Sequence, residues 1–314
     1  MKTTHFILLA LLTLGLMSCN ESTSLLDSND QEDMVLKSAE IAVNDLLTEG
    51  VYEEACYEAE FFASSERLLR QLARYNKGNH LLHGKQIARY NEQLMPDVSI
   101  DTAATGYPIV ITIDYGDSTT LHNGRIISGV VSIELSAPRS TNGATRLVTY
   151  TACVIDSVAI DGTTRQVFNG DNENSRTMSS ESDITFVLPD GTIMHRSGIQ
   201  LRNWLEGINT PMEHADDLIE ITGSVQMQVE GGSTWLKVIK EPLLRTGECR
   251  YYVQGLVSFS ENDTVLATLN FGDGSCDNIA TLTSNGETIE IELQGRHPEA
   301  RLDEYKEKQR SKGK

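Results

Sequence analysis

The chain has 314 residues and a formal charge of −19, from 45 acids against 26 bases. That balance excludes a nucleic-acid binder, which needs a basic face to displace phosphate counterions, and argues against a body lying flat on an anionic leaflet. With 39% hydrophobic and 23% charged residues, the composition is that of a globular chain, long enough to bury a core without disulfides.

Lys2 and His5 precede the apolar run Phe6-Ile7-Leu8-Leu9-Ala10-Leu11-Leu12, and Leu16-Met17-Ser18-Cys19 follows. A basic start, a short apolar core and a small-residue cleavage site predict a secretory signal over residues 1–18, too short to span a bilayer. Leu16 to Cys19 resembles the bacterial lipobox, and the resemblance implies that Cys19 becomes an acylated N-terminus carrying more than one chain. One chain binds a membrane marginally, at ~0.8 kcal/mol per buried CH₂, whereas several hold a protein stably. Losing residues 1–18 removes Lys2 and no acid, so the mature charge is −19 − 1 = −20. No later segment has the roughly 20 apolar residues of a membrane helix, which leaves Cys19 as the anchor the sequence predicts, at the outer membrane.

Residues 19–33 are polar, acidic and turn-rich, and read as a tether. Glu21, Asp27, Asp30, Glu32 and Asp33 have the character of the surface-export signal of Bacteroidetes lipoproteins, without its compact cluster; a plain spacer reads equally well. A helical segment is expected over 34–104. Val35, Ala39, Ala42, Val43, Leu46 and Leu47 recur at helical spacing, with Gly50 as the stop. A second helix is expected from about Glu53 to Tyr75, with Pro96 closing the region.

After Pro108 the period becomes two. Ile109, Ile111, Ile113 and Tyr115 alternate with Val110, Thr112 and Asp114, as do Val131, Ile133 and Leu135, and later Ile289, Ile291 and Leu293, with polar neighbours. Asn123-Gly124, Asp161-Gly162, Pro189-Asp190-Gly191, Gly231-Gly232 and Asn285-Gly286 punctuate the runs as turns. The fold class is therefore mainly β: an antiparallel β-sandwich or elongated β-meander over 105–296, with an N-terminal helical segment and a charged tail over 297–314. Ile111 to Asp117 echoes Ala267 to Asp273, a weak internal repeat.

Ile113-Asp-Tyr-Gly-Asp117, Trp204-Leu-Glu-Gly207, Thr210-Pro211, Asp217, Ile221-Thr-Gly223 and Phe271-Gly-Asp-Gly-Ser-Cys-Asp-Asn278 resemble segments of a group of Bacteroidetes outer-membrane lipoproteins. The resemblance spans about residues 105–293. It implies lineage and β character, and carries no activity with it.

Apart from Cys19, four cysteines remain, and an exported protein meets an oxidising compartment. Cys249 and Cys276 are symmetric about Asn262-Asp263, so two regular strands would set them opposite each other as a disulfide; Cys56 and Cys153 read as buried thiols. Asp114, Asp117, Asp273 and Asp277 sit in the two Gly-Asp loops as calcium candidates, although Asp and Gly are equally what turns require, and turn is the preferred reading. Asp171 to Ser175 lacks the Gly and Glu of an EF-hand loop. Ser118 and Thr264 stand in Asp-Ser/Thr-apolar tripeptides that resemble the Bacteroidetes O-glycosylation motif. HExxH and GxSxG are missing, and Gly78 to Gln86, which contains His80 and His83, departs from a P-loop. Trp204, Trp235, Tyr251, Tyr252 and Phe271 could form a glycan platform, but core is the better assignment. The expected class is a lipid-anchored, non-catalytic binding, adhesion or assembly module with a protein or glycan ligand and no cofactor; the alternative is a carbohydrate-active enzyme or accessory glycan-binding protein.

Overall fold

The alternating segments all enter one antiparallel sheet in the computed structural model, which describes residues 28–63, 96–103, 106–121, 124–171, 173–210, 213–249 and 251–293. Among the described residues, one α-helix precedes the sheet, α1 (Ser28–Ala63). The strands are β1 (Asp97–Thr102), β2 (Ile109–Asp114), β3 (Thr119–Thr120), β4 (Ile126–Leu135), β5 (Thr145–Ile155), β6 (Val158–Gly170) and β7 (Arg176–Val187), then β8 (Ile193–Glu206), β9 (Leu218–Val229), β10 (Thr234–Thr246), β11 (Gln254–Glu261), β12 (Thr264–Asp273), β13 (Ile279–Ser284) and β14 (Glu287–Glu292). Sheet order follows chain order, except that the two-residue β3 continues the line of β2 along β4. Of the two β architectures the sequence allows, this is the meander.

The loops explain the register. Asn262-Asp263 and Asn285-Gly286 close hairpins with positive φ at both central residues, as tight right-twisted hairpins require. Asp161-Gly162 is not a turn: it lies inside β6, and the chain reverses earlier, at Asp156-Ser157. There the Asp156 carboxylate accepts from the Ile126 backbone N–H and pairs with Arg125, so side-chain anchoring selects the turn over the Asp-Gly signal. Gly162 is needed for another reason. A Cβ there would stand 2.3 Å from the Asp183 carbonyl oxygen on β7, a close approach that lets the sheet bend. Gly223 on β9 serves likewise against β8, 2.2 Å from the Ile199 carbonyl oxygen.

The helical region differs from expectation in three ways. The helix begins at Ser28, inside the expected tether; Gly50 is an interior residue rather than a stop; and residues 97–102, expected within the helical segment, form β1. A mid-helix Gly costs about 1 kcal/mol relative to Ala. Tertiary contacts override it, among them Arg125, which donates to the Gly50 carbonyl. The later part of the expected second helix, His80, His83 and the 297–314 tail lie outside the described residues.

The helix is enclosed by the sheet. Val35, Ala39, Ala42, Val51, Tyr52, Ala55, Ala59 and Phe62 are all buried, and bonds from α1 reach Tyr115 just after β2, and β5, β7, β8, β10, β11 and β13. A helix covered on most sides must bury its polar residues too. Asp45 and Glu49 bind Lys237 on β10 at 2.9 and 2.7 Å, and Glu49 also meets Arg196 on β8 at 3.3 Å. Two acids and two bases form a neutral, buried quartet.

The two acids are not equivalent. Burial pushes Asp45 up, and its attraction to Lys237 does not reverse this. Glu49 is also opposed by burial, but Lys237 and Arg196 together carry it down to about 2. A carboxyl depressed on folding stabilises above its ordinary pKa, and the gain is lost as the pH falls through the folded value; a raised one has the opposite sign. Glu49→Gln should therefore cost about 3 kcal/mol at pH 7 by urea unfolding, a difference that closes as the pH falls from 4.5 towards 2. Asp45→Asn should cost less than Glu49→Gln at pH 7, and the reverse order would contradict the assignment.

Candidate functional site

Inward positions of several strands carry arginine instead of an apolar residue. Arg146 (β5), Arg176 (β7) and Arg202 (β8) point toward α1, joined by Arg245 from β10 and by Arg139 from the β4–β5 connection. With Glu53, Cys56 and Glu60 of the helix, and Trp204 of β8, they enclose a cavity of about 330 Å³.

Three carboxylates face these five guanidinium groups as ion-pair partners. Glu60 binds Arg146 at 2.7 Å and also binds Arg139; Glu53 binds Arg245 at 2.9 Å and also binds Arg202. Asp217 lies 3.6 Å from Arg176 and accepts from or pairs with His214 at 3.2 Å. Arg146 additionally donates to Gln166 at 2.6 Å. Arg176 donates to the Gly207 carbonyl at 3.1 Å and lies 4.0 Å above the Trp204 ring, a cation–π stack. Arg139 stands 4.9 Å from the Phe168 ring.

The electrostatics follow from this crowding. Burial, and then the charges of Arg176 and Arg146, push Arg139 well below the usual guanidinium range. Burial takes Arg146 down to about 10. Burial also opposes the charge of Arg202, but Glu53 together with Cys56, Tyr252 and Tyr52 outweighs it and moves Arg202 the other way. Several donors find no partner: Arg176 Nε and Nη2, Arg139 Nε, Arg202 Nε and Trp204 Nε1. Buried polar groups are nearly always satisfied, so this convergence of orphaned donors is informative.

A second cavity, about 380 Å³, adjoins the first across Glu53, Tyr57 and Arg245 and is more apolar and aromatic, with Leu46, Gly50, Tyr251, Tyr252, Phe271 and Leu293 in its wall. Tyr252 and Phe271 meet edge to face at 5.4 Å.

The residues singled out from sequence fall elsewhere. Cys249 and Cys276 are disulfide-bonded, with Cα atoms 5.7 Å apart. They do not oppose each other in regular strands, however. The β11–β12 ladder ends at Gln254–Asp273 after two bulges, and the cysteines meet in the connections beyond it. Cys249 also lines the arginine cavity. Cys56 and Cys153 are free and buried, and burial raises both thiols, Cys153 to about 11. The Gly-Asp loops use their carboxylates on themselves: Asp114 accepts from Gly116 N–H, Asp273 from Ser275 and Asp277 from Ile279. Asp171 likewise accepts from the N–H groups of Glu173, Asn174 and Ser175. Among the described residues, no three His, Cys, Asp or Glu side chains come together as a metal site. Ser118 and Thr264 are exposed. Trp204, Trp235 and Phe271 are buried, and Tyr251 and Tyr252 pack partly against the core, so these aromatics form no exposed platform. Cys19 lies outside the described residues.

The arginine cavity was not anticipated. Its one sequence signal is basic residues at inward strand positions, as in Arg176-Thr-Met178-Ser-Ser180, where the phase that makes Met178 buried also buries Arg176. No protein-family model, no curated protein and no solved structure matches the chain. Among the described residues, no helix is long and apolar enough to cross a membrane.

Because three of the four Gly-Asp carboxylates, Asp114, Asp273 and Asp277, are already hydrogen-bonded within their own turns, calcium has little to gain there. Millimolar calcium should leave the Tm where a chelator leaves it. A rise of several degrees that Asp273→Ala abolishes would overturn this assignment.

Proposed function

We propose that the protein is a lipid-anchored binding protein of the outer membrane, tethered through Cys19, that holds a ligand between its helix and its sheet. The observation that carries the binding reading is the arginine-lined cavity. Its unsatisfied polar groups are mostly N–H donors, and all of these except that of Arg139 are prepositioned by strands. Glu53, Glu60 and Asp217 are each committed to arginine, whereas a glycosidase needs two carboxylates free to act as acid and base or nucleophile. This favours binding over the carbohydrate-active alternative. The signal and lipobox-like residues 1–19, and the resemblance to Bacteroidetes lipoproteins, support the location. The acidic balance suits a tethered protein that must not adhere to its neighbours.

Anchoring is tested separately from binding. Globomycin, or Cys19→Ala, should leave an uncleaved precursor or release the mature protein from the membrane fraction. Correctly sized mature protein that stays membrane-bound under both treatments would refute the anchor. Protease shaving of intact cells then reports which side of the membrane the body occupies.

A further inference from the structure

Around Trp204 the buried atoms without a hydrogen bond are four N–H donors and two carboxylate oxygens, Glu60 Oε1 and Asp217 Oδ1. Each of the two oxygens is already held in an ion pair, by Arg139 and Arg176 respectively. Arg176 offers Nε and Nη2, Arg139 offers Nε, and Trp204 offers Nε1, all buried and without an acceptor. Arg176 is only 2% exposed, and its remaining amino group is already used on the Gly207 carbonyl. A neutral molecule with mixed donors and acceptors would satisfy such a set poorly. An oxyanion, which only accepts, would satisfy it well.

Charge points the same way. Arg139, Arg146 and Arg176 share Glu60 and Asp217 as their ion-pair partners, three positive charges against two negative. Arg139 and Arg146 share the single carboxylate of Glu60, so the excess positive charge lies with that pair. Water can satisfy an N–H but brings no charge, so it cannot offset a buried excess of guanidinium. The planar Arg176 fork has a free edge, Nε with Nη2, which is the edge that binds carboxylate, sulfate or phosphate through two parallel hydrogen bonds. Stacking on Trp204 at 4.0 Å holds that fork in place. The cavity, about 330 Å³, is at the small end for ligand sites and fits a compact molecule rather than a polymer.

We propose that the cavity between α1 and β5–β8 is a binding site for a small organic oxyanion, received by the free edge of Arg176 and by the Nε–H groups of Arg139 and Trp204. Asp217 acts within it as the internal competitor for Arg176. This rests on the binding reading above and is independent of the lipid anchor.

The test is calorimetric titration of the purified full-length protein at constant ionic strength in chloride. The probes are glucuronate, glucose 6-sulfate and glucose 6-phosphate, with glucose as neutral control; they share one body, and their ranking identifies which oxyanion is preferred. At least one anion should bind saturably at one site, while glucose does not. Arg176→Gln should weaken binding by about tenfold or more. Asp217→Asn, which removes the competitor, should tighten it several-fold. Since Arg176→Gln alters a buried residue, its Tm is compared with that of the parent. If that variant unfolds, the Asp217→Asn gain and the anion-dependent quenching of Trp204 fluorescence, absent in Trp204→Phe, decide the question. No saturable binding of any anion to the folded parent up to about 10 mM would overturn the proposal. So would equal binding of glucose, or binding that a folded Arg176→Gln and Asp217→Asn both leave unchanged. In that case the anchoring experiment still stands or falls on its own result.

Discussion

A helix that carries a row of carboxylates can be buried only if a row of bases meets it. Asp45, Glu49, Glu53 and Glu60 recur along α1 at spacings near the helical turn, and β5, β8 and β10 answer with Arg146, Arg196, Arg202, Lys237 and Arg245. Desolvation of each charge costs several kcal/mol, so the ladder is weak evidence for stability by itself. What it fixes is position. Sliding the helix by one turn, or turning it about its axis, would leave buried charges without partners at a cost no apolar contact could match. The alanines of the same helix (Ala39, Ala42, Ala55, Ala59) could pack in more than one register, so its position is set by the ion pairs together with the larger Val35, Val51, Tyr52 and Phe62.

This arrangement explains what was legible in the sequence and what was not. The strands of β2, β4 and β14 could be read from alternation because their inward residues are Ile, Val and Leu. Where the sheet faces the helix's acids, the inward residues become Arg176, Ser180 and Ser182 on β7, and Arg196 and Gln200 on β8. Period two persists there, but only Met178, Ile184 and Phe186 on β7 and Met194 and Trp204 on β8 mark the buried side, so the phase is readable while the burial of the polar residues between them is not. The helix hides itself in a similar way. Its buried Asp45, Thr48 and Glu49 look solvated from sequence, and Gly50 looks like an end, because the partners that tolerate both come from strands some 75 to 190 residues away.

The disulfide shows the opposite case, in which a correct pairing was inferred from an incomplete picture. Symmetry about Asn262-Asp263 identified Cys249 and Cys276, yet two bulges shift the β11–β12 ladder before it reaches them. The pairing survives because the connections beyond the strands carry the cysteines back together. With Cys249 in the cavity wall, the cross-link also ties the end of β10 to the connection after β12, close to where Arg245 reaches Glu53. It therefore constrains the site as well as the chain.

The charge of the molecule is divided in the same sense. Arg146, Arg176, Arg196 and Lys237 are each 2–3% exposed, and the buried acids Asp45, Glu49, Glu58 and Asp217 match them in number, so the outer surface keeps the acidic excess of the whole chain. An anion approaching from outside meets a repulsive field that is screened over about 8 Å at physiological salt, and only then the guanidinium groups. Long-range steering cannot account for its capture. Recognition has to come from the short-range geometry of desolvated donors, where the low dielectric strengthens each hydrogen bond and salt screens it least. Such an interior discriminates by fit: diffuse polyanions stay outside, and a single small oxyanion that can shed its water is what the buried arginines are placed to accept.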